Sequence, residues 1–194
     1  MTSSPTGVDM TNFLAEATRL AAEVKRSFEC LSPQQLNWKP HPEQWSIGQC
    51  LHHLVIANES FFTTFETVLK GEKKAALWER MPLLPSLFGK LVIKAVSPES
   101  ATKLKAPKAF RPSSSNIDAR IVADFGDRQS RLIEKMKASA RLKLESTIIT
   151  SPATSLITYS LRDAFKIILA HERRHVSQAR RVMELKDFPR YRFP

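Results

Sequence analysis

Four long stretches of this chain place apolar residues three and four positions apart, the spacing that gathers them on one face of an α-helix instead of alternating faces of a strand. From Met10 to Cys30 the series is Phe13, Ala17, Leu20, Ala21, Val24 and Phe28. From Ser46 to about Lys70 it is Ile47, Leu51, Leu54, Asn58, Phe61 or Phe62, and Phe65. Ser46 with Gln49 forms a capping-box signature at the start of that helix, and Gly71 marks its end. Ile117, Ile121, Phe125, Leu132, Ile133 and Met136 outline a third helix ending near Ala140. After the break at Ser151-Pro152, Leu156 to Lys186 supplies the fourth, with Ser160 and Asp163 placed as capping-box partners.

Each apolar stripe must be buried against another, so the expected fold is all-α, a four-helix bundle. Only five glycines occur in 194 residues, and no succession of short β-branched runs appears, which disfavours a sandwich or barrel. Between the second and third helices, Gly71 to Asn116 breaks the pattern with prolines such as Pro82, Pro85, Pro98 and Pro107. This reads as a long crossover with one short helix in the apolar patch Leu83 to Val96. Ser32-Pro33 starts a new turn, and Asn37-Trp38-Lys39-Pro40-His41-Pro42 reads as an extended connector. The expected organisation is a disordered tail over 1–9, one helical domain over 10–186 and a C-terminal tail over 187–194.

The first residues lack a basic start followed by an apolar run, and no stretch approaches the ~20 apolar residues that span a bilayer. A cytoplasmic protein with no membrane partner is expected. In that reducing compartment Cys30 and Cys50 are expected to be free thiols. The formal net charge is +11. Basic residues concentrate at Lys103, Lys105, Lys108 and Arg111, and again from Arg173 to Arg192. Neither group carries interleaved aromatics or a helix-turn-helix or zinc-finger signature, so nucleic acid is not an expected partner. A solvated basic surface is the reading; the runner-up is electrostatic guidance of a small anionic substrate.

His171-Glu172-Arg173-Arg174-His175 is the most informative pentapeptide. Histidines four apart on a helix differ by only about 40° and rise about 6 Å, so both rings reach one ion. They continue a seam of Leu161, Ala164, Phe165, Ile168, Gln178, Ala179 and Val182, where two unpartnered imidazoles are costly and a shared metal meets the cost. A third ligand is sought in the second helix, where His52 and His53 lie about 120° to either side of the apolar centre; periodicity does not choose between them. A zincin protease reading, with Glu172 as general base on metal-bound water, is disfavoured: the only acids after His175 are Glu184 and Asp187, and no histidine follows. Glu172 falls about 100° from His171, off the apolar seam, and reads as a surface glutamate. No glycine-rich phosphate loop and no GxSxG motif occur. Cys50, one turn before His53, reads as a small core residue.

Several motifs in fixed order resemble the DinB-like superfamily, which includes bacillithiol-transferase and mycothiol-dependent enzymes. They are Leu36-Asn37-Trp38-Lys39-Pro40, then Trp45-Ser46-Ile47-Gly48-Gln49, then His53-Leu54, and finally Ala170-His171-Glu172-Arg173-Arg174-His175-Val176-Ser177-Gln178. Ala106-Pro107 to Phe110-Arg111-Pro112 fits the crossover of that family. The resemblance implies a four-helix bundle holding a divalent ion, nickel or zinc foremost and iron or manganese next, on three histidines. It selects His53 over His52, with His171 and His175 as the other ligands, and related bundles suggest a homodimer.

Two functions follow as expectations. In the first, three neutral imidazoles leave coordination positions open, and the ion activates a low-molecular-weight thiol or water for thiol transfer or hydrolysis. Glu59 and Asn58 are the weak candidates for a general base, and no catalytic residue is assigned. The alternative is a non-enzymatic metal-binding or stress-associated helical protein, which a fourth protein ligand such as His52 would favour.

Overall fold

A computed structural model describes residues 5–73, 79, 83–100, 107–112 and 115–190 of the chain. Lys103, Lys105, Ala106 and Arg192, singled out in the sequence, lie outside the described residues. The elements in order are α1 (Pro5–Phe28), α2 (Pro33–Asn37), α3 (Ile47–Leu69), α4 (Leu84–Val96), a 3-10 turn (Lys108–Phe110), α5 (Ile121–Ser139), β1 (Ile148–Thr150), β2 (Thr158–Ser160) and α6 (Leu161–Glu184).

The capping rules act where the sequence places them. Ser46 Oγ accepts the Gln49 amide at 3.1 Å, and Gln49 Oε1 accepts the Ser46 amide at 3.2 Å, which fixes where α3 starts. Ser32 and Gln35 make the same reciprocal pair at α2. At Gly71 the chain takes φ +72, the left-handed turn that glycine adopts without a Cβ penalty. At α6 only half of the expected box forms: Ser160 Oγ accepts the Asp163 amide at 3.0 Å. The Asp163 side chain lies instead beside α4, where a Cβ on Gly89 would meet its Oδ2 at 2.5 Å.

The four long helices build the core. α1 and α3 each pack on both α5 and α6, which makes the all-α bundle expected from the periodicity. Phe165 of α6 meets Phe13 of α1 at 5.9 Å and Phe65 of α3 at 5.4 Å, both near edge-to-face. The crossover does contain one short helix, α4, which lies on α6 and β2.

Three helix starts differ from the periodicity. α5 begins at Ile121, so Ile117 packs into the core from the segment before the helix. α1 starts at Pro5, before Met10. The fourth helix does not start at Leu156: Thr158–Ser160 pairs antiparallel with Ile148–Thr150 in the register Ile149↔Tyr159, and α6 begins at Leu161. Strands of three residues are too short for alternation to register in a sequence window, yet Ile149 and Tyr159 are both buried in the core.

The Leu36-Asn37-Trp38 motif is a clamp. Asn37 Nδ2 donates to the Ile117 carbonyl at 2.8 Å and Asn37 Oδ1 accepts the Ile117 amide at 2.7 Å, so one side chain completes a backbone-like pair and pins the approach to α5. Trp38 packs edge-on against Phe188 at 5.6 Å, and Gln35 donates to the Pro189 carbonyl at 2.8 Å, so the chain beyond α6 is held on α2. Among the described residues no helix is long and apolar enough to cross a membrane.

Both cysteines are free, as expected. Cys50 is fully buried and burial pushes its thiol up to about 12, whereas Cys30 is exposed. Because the thiolate is the reacting form, iodoacetamide at pH 8 should label Cys30 alone in the native protein and both residues after denaturation, read by peptide mass spectrometry. Equal native labelling would show that the helix bearing Cys50 is not packed as described.

Candidate metal centre

Two helices bring three histidines together. On α6 the buried seam of Leu161, Ala164, Phe165 and Ile168 leads to His171 and His175, then resumes at Ala179 and Val182. On α3 the Ser46 cap places His53 two turns into the helix, 2% exposed. One ligand atom from each of His53, His171 and His175 lies within 4.8 Å of the others. His53 Nε2 stands 3.0 Å from His171 Nε2, and the three ring pairs have centroids 4.6 to 4.8 Å apart. His52 stands outside this cluster, and His41 is exposed in the connector.

The crossover sets the tautomer of His53. Its Nδ1 is 2.6 Å from the Phe110 carbonyl oxygen, which can only accept, so Nδ1 carries the proton and Nε2 presents a lone pair toward His171. Trp45, just before the Ser46 cap, lies nearly parallel to His175 at 5.6 Å and 4.9 Å from His53, covering one side of the cluster. His171 and His175 keep part of their surface accessible.

All three rings are held neutral. Burial lowers the His53 pKa, against the Phe110 hydrogen bond. Burial, then the neighbouring His175, His53 and Arg174, hold His171 well below the usual range. Burial, His53 and Arg174 bring His175 down to about 3, against a contact with Gln178. Neutral imidazole is the form that binds a cation, so near pH 7 no proton has to leave first. The residues fit a divalent ion: three nitrogen donors converge, and the buried Nδ1 of His175 has no hydrogen-bond partner. No other Asp, Glu, Cys or His joins the cluster among the described residues.

Glu172 corrects the sequence reading. It is not a surface residue: it is fully buried, with Oε1 accepting from Asn58 Nδ2 of α3 at 2.7 Å and Oε2 accepting from Gln129 Nε2 of α5 at 2.9 Å. The Gln129 amide also reaches the Ala17 carbonyl of α1 at 3.3 Å, so the network touches all four long helices. A signal was present, because Asn58 and Gln129 are polar residues on otherwise apolar faces of their helices. Neither weak base candidate serves the cluster: Asn58 is bound to Glu172, and Glu59 pairs with Arg128 at 2.6 Å and Arg131 at 3.0 Å.

The other residues of the pentapeptide hold neighbouring helices. Arg173 Nη1 pairs with Glu16 of α1 at 3.1 Å. Arg174 Nη1 lies 3.4, 3.0 and 3.4 Å from the carbonyls of Ala95, Ser97 and Ser100, tying the end of α4 to α6. These contacts give part of the basic C-terminal cluster an internal role.

Residues 16–179 match the family model of the DinB superfamily. The chain belongs to the DinB superfamily. This DinB-superfamily chain is also similar to the uncharacterized protein YuaE of Bacillus subtilis (strain 168), 27% identical over 159 residues that span 79% of this chain and 86% of that protein. No solved structure matches it significantly.

Glu172 generates a pH prediction for metal-stripped protein. Its carboxyl, ordinarily at 4.5, is raised to about 7, chiefly by burial. The folded state therefore holds this proton more tightly than the unfolded chain, so the stabilising share is complete below pH 4.5 and is lost as pH rises through 7. The full loss is about 3 kcal/mol at about 1.36 kcal/mol per unit. Glu172→Gln removes this slope, while the histidines are common to both proteins. The urea-unfolding free energy of wild type relative to the variant should fall by about 2–3 kcal/mol between pH 5 and pH 8. A constant difference would remove the buried carboxyl from the account.

Proposed function

We propose that this protein is a metal-dependent enzyme of the cytoplasm in which His53, His171 and His175 hold a divalent ion, nickel or zinc foremost, and a low-molecular-weight thiol or water is the nucleophile. The observation that carries the reading is the convergence of three neutral imidazoles with no fourth protein ligand among the described residues. Open three-histidine sites are typically catalytic, whereas structural sites are closed by four protein ligands. A divalent ion bound there would supply Lewis acidity, lowering the pKa of a thiol or water that joins it.

The chain's own residues do the rest. The Phe110 carbonyl keeps the proton of His53 on Nδ1 and its Nε2 free. Burial keeps His171 and His175 unprotonated, so they remain donors at and below neutral pH. Trp45 covers the ring of His175 and excludes water from that side, leaving the partly accessible side of His171 and His175 for a small molecule. Imidazole donors suit zinc and nickel, with iron next, and the donor set alone does not separate them.

Metal content of purified, untagged protein tests the ligand assignment. About one ion per chain is expected for wild type and for His52→Ala, with loss of the ion in His53→Ala, His171→Ala and His175→Ala, each checked for folding by circular dichroism. Retention in all three variants would reject the site. Metal-loaded wild type is then expected to accelerate reaction of a simple thiol with an electrophile such as 1-chloro-2,4-dinitrobenzene, or hydrolysis of an activated ester, by at least about 100-fold over His171→Ala. Equal rates in both assays would leave a metal-binding protein in place of an enzyme.

A further inference from the structure

Five large hydrophobic side chains are exposed among the described residues, and four of them lie at α4 or in the β1–β2 hairpin whose second strand packs on it. Leu83, just before α4, is 83% exposed, and Leu87 and Leu91, one turn apart on the helix, are 52% and 53% exposed. Leu156, in the turn between β1 and β2, is 69% exposed. Exposed leucines scattered singly need no explanation, whereas a row of them on one helix marks an interaction surface.

The other side of α4 is already seated on the bundle. Pro85 and Gly89 are buried, and Val92, Ile93 and Val96 pack against the core. Gly89 lies so close to α6 that a Cβ there would meet Asp163 Oδ2 at 2.5 Å, and Arg174 holds the end of the helix by the Ala95 and Ser97 carbonyls. The charge beside the leucines has one sign. Lys90 and Lys94 are exposed one turn apart in the row adjoining Leu87 and Leu91, with no ion-pair partner among the described residues. From Leu83 to Arg111 the sequence holds six basic residues against one acid, Glu99, so α4 opens the basic stretch that continues through Lys103, Lys105, Lys108 and Arg111.

A two-fold contact between copies of this chain through α4 would set Lys90 and Lys94 against their own kind, with no acid on the helix to pair them. An apolar row flanked by lysines matches an anionic lipid surface, where leucines enter the acyl boundary and ammonium groups meet phosphates. We propose that α4 docks this protein on anionic membrane surfaces, with Leu83, Leu87 and Leu91 in the acyl boundary and Lys90 and Lys94 on lipid phosphates. The expectation of no membrane partner rested on the lack of a spanning segment, and a helix lying in the interface needs none. The three histidines lie on α3 and α6, so docking does not use the metal.

Co-sedimentation of full-length protein with vesicles of phosphatidylcholine alone, and of equal parts phosphatidylcholine and phosphatidylglycerol, tests this. At about 0.05 M salt the mixed vesicles are expected to bind at least about tenfold tighter than the neutral ones, and to lose most of that advantage at about 0.5 M. Leu87→Gln combined with Leu91→Gln should weaken binding to the mixed vesicles at least about tenfold, while the melting temperature stays within a few degrees because both side chains face solvent. Leu185→Gln, at an exposed leucine outside this face, should leave binding unchanged. Lys90→Gln combined with Lys94→Gln should remove most of the preference for the mixed vesicles. Binding that the leucine pair does not affect would be adsorption of a basic chain by charge alone and would overturn the proposal, as would equal binding to both vesicles. Binding to neither also overturns it, and dimers in solution that the leucine pair dissolves would then assign the face to a second copy.

Discussion

A carboxyl group placed inside a helical bundle needs hydrogen bonds, and leaving such a buried group unsatisfied costs about 1–3 kcal/mol, more while it is charged. Glu172 meets that requirement with one amide from α3 and one from α5, and the second amide reaches the backbone of α1. The rotation of α6 about its own axis is thereby fixed. Turning α6 by a single residue would pull Glu172 from both amides and bring His171 or Arg173 inward in its place. Apolar packing alone would not select the rotation so sharply, since aliphatic seams slide and repack at modest cost.

The same rotation presents His171 and His175 to His53. Burial opposes protonation of all three histidines, reinforced at His171 and His175 by the cluster and Arg174 and at His53 by His52. Three lone-pair donors held close without a counter-charge favour a cation entering among them. The bundle thus carries a polar tie on one side of α6 and a neutral donor cluster on the adjoining side. The tie sets the angle, and the caps at Ser46 and Ser160 set the register along each helix.

Much of this was legible in the sequence because the rules involved are local. The Ser46–Gln49 box needs only residues three apart, and the four long helices declare themselves through repeated spacing. The pairing of His171 with His175 follows from helix geometry, whereas the preference for His53 over His52 came from the family resemblance. Glu172 was misread because apolar bookkeeping assumed one buried stripe. α6 packs on α1, α3 and α4 at once, and burial extends around it to Ile167, Leu169 and Val176. The β1–β2 pair was missed because its hydrogen bonds join residues ten apart through strands too short to show a period.

The contact that orients His53 comes from a main-chain oxygen. Any amino acid at position 110 supplies that oxygen, so side-chain chemistry there does not write the bond into the sequence. What matters is the path of the peptide between Pro107 and Pro112, whose rings restrict the backbone on either side of the Lys108–Phe110 turn. The donor ring is accordingly insensitive to spelling in this stretch and sensitive to spacing. One residue gained or lost in the crossover would move the carbonyl by up to about 3.8 Å, more than the length of the hydrogen bond it makes.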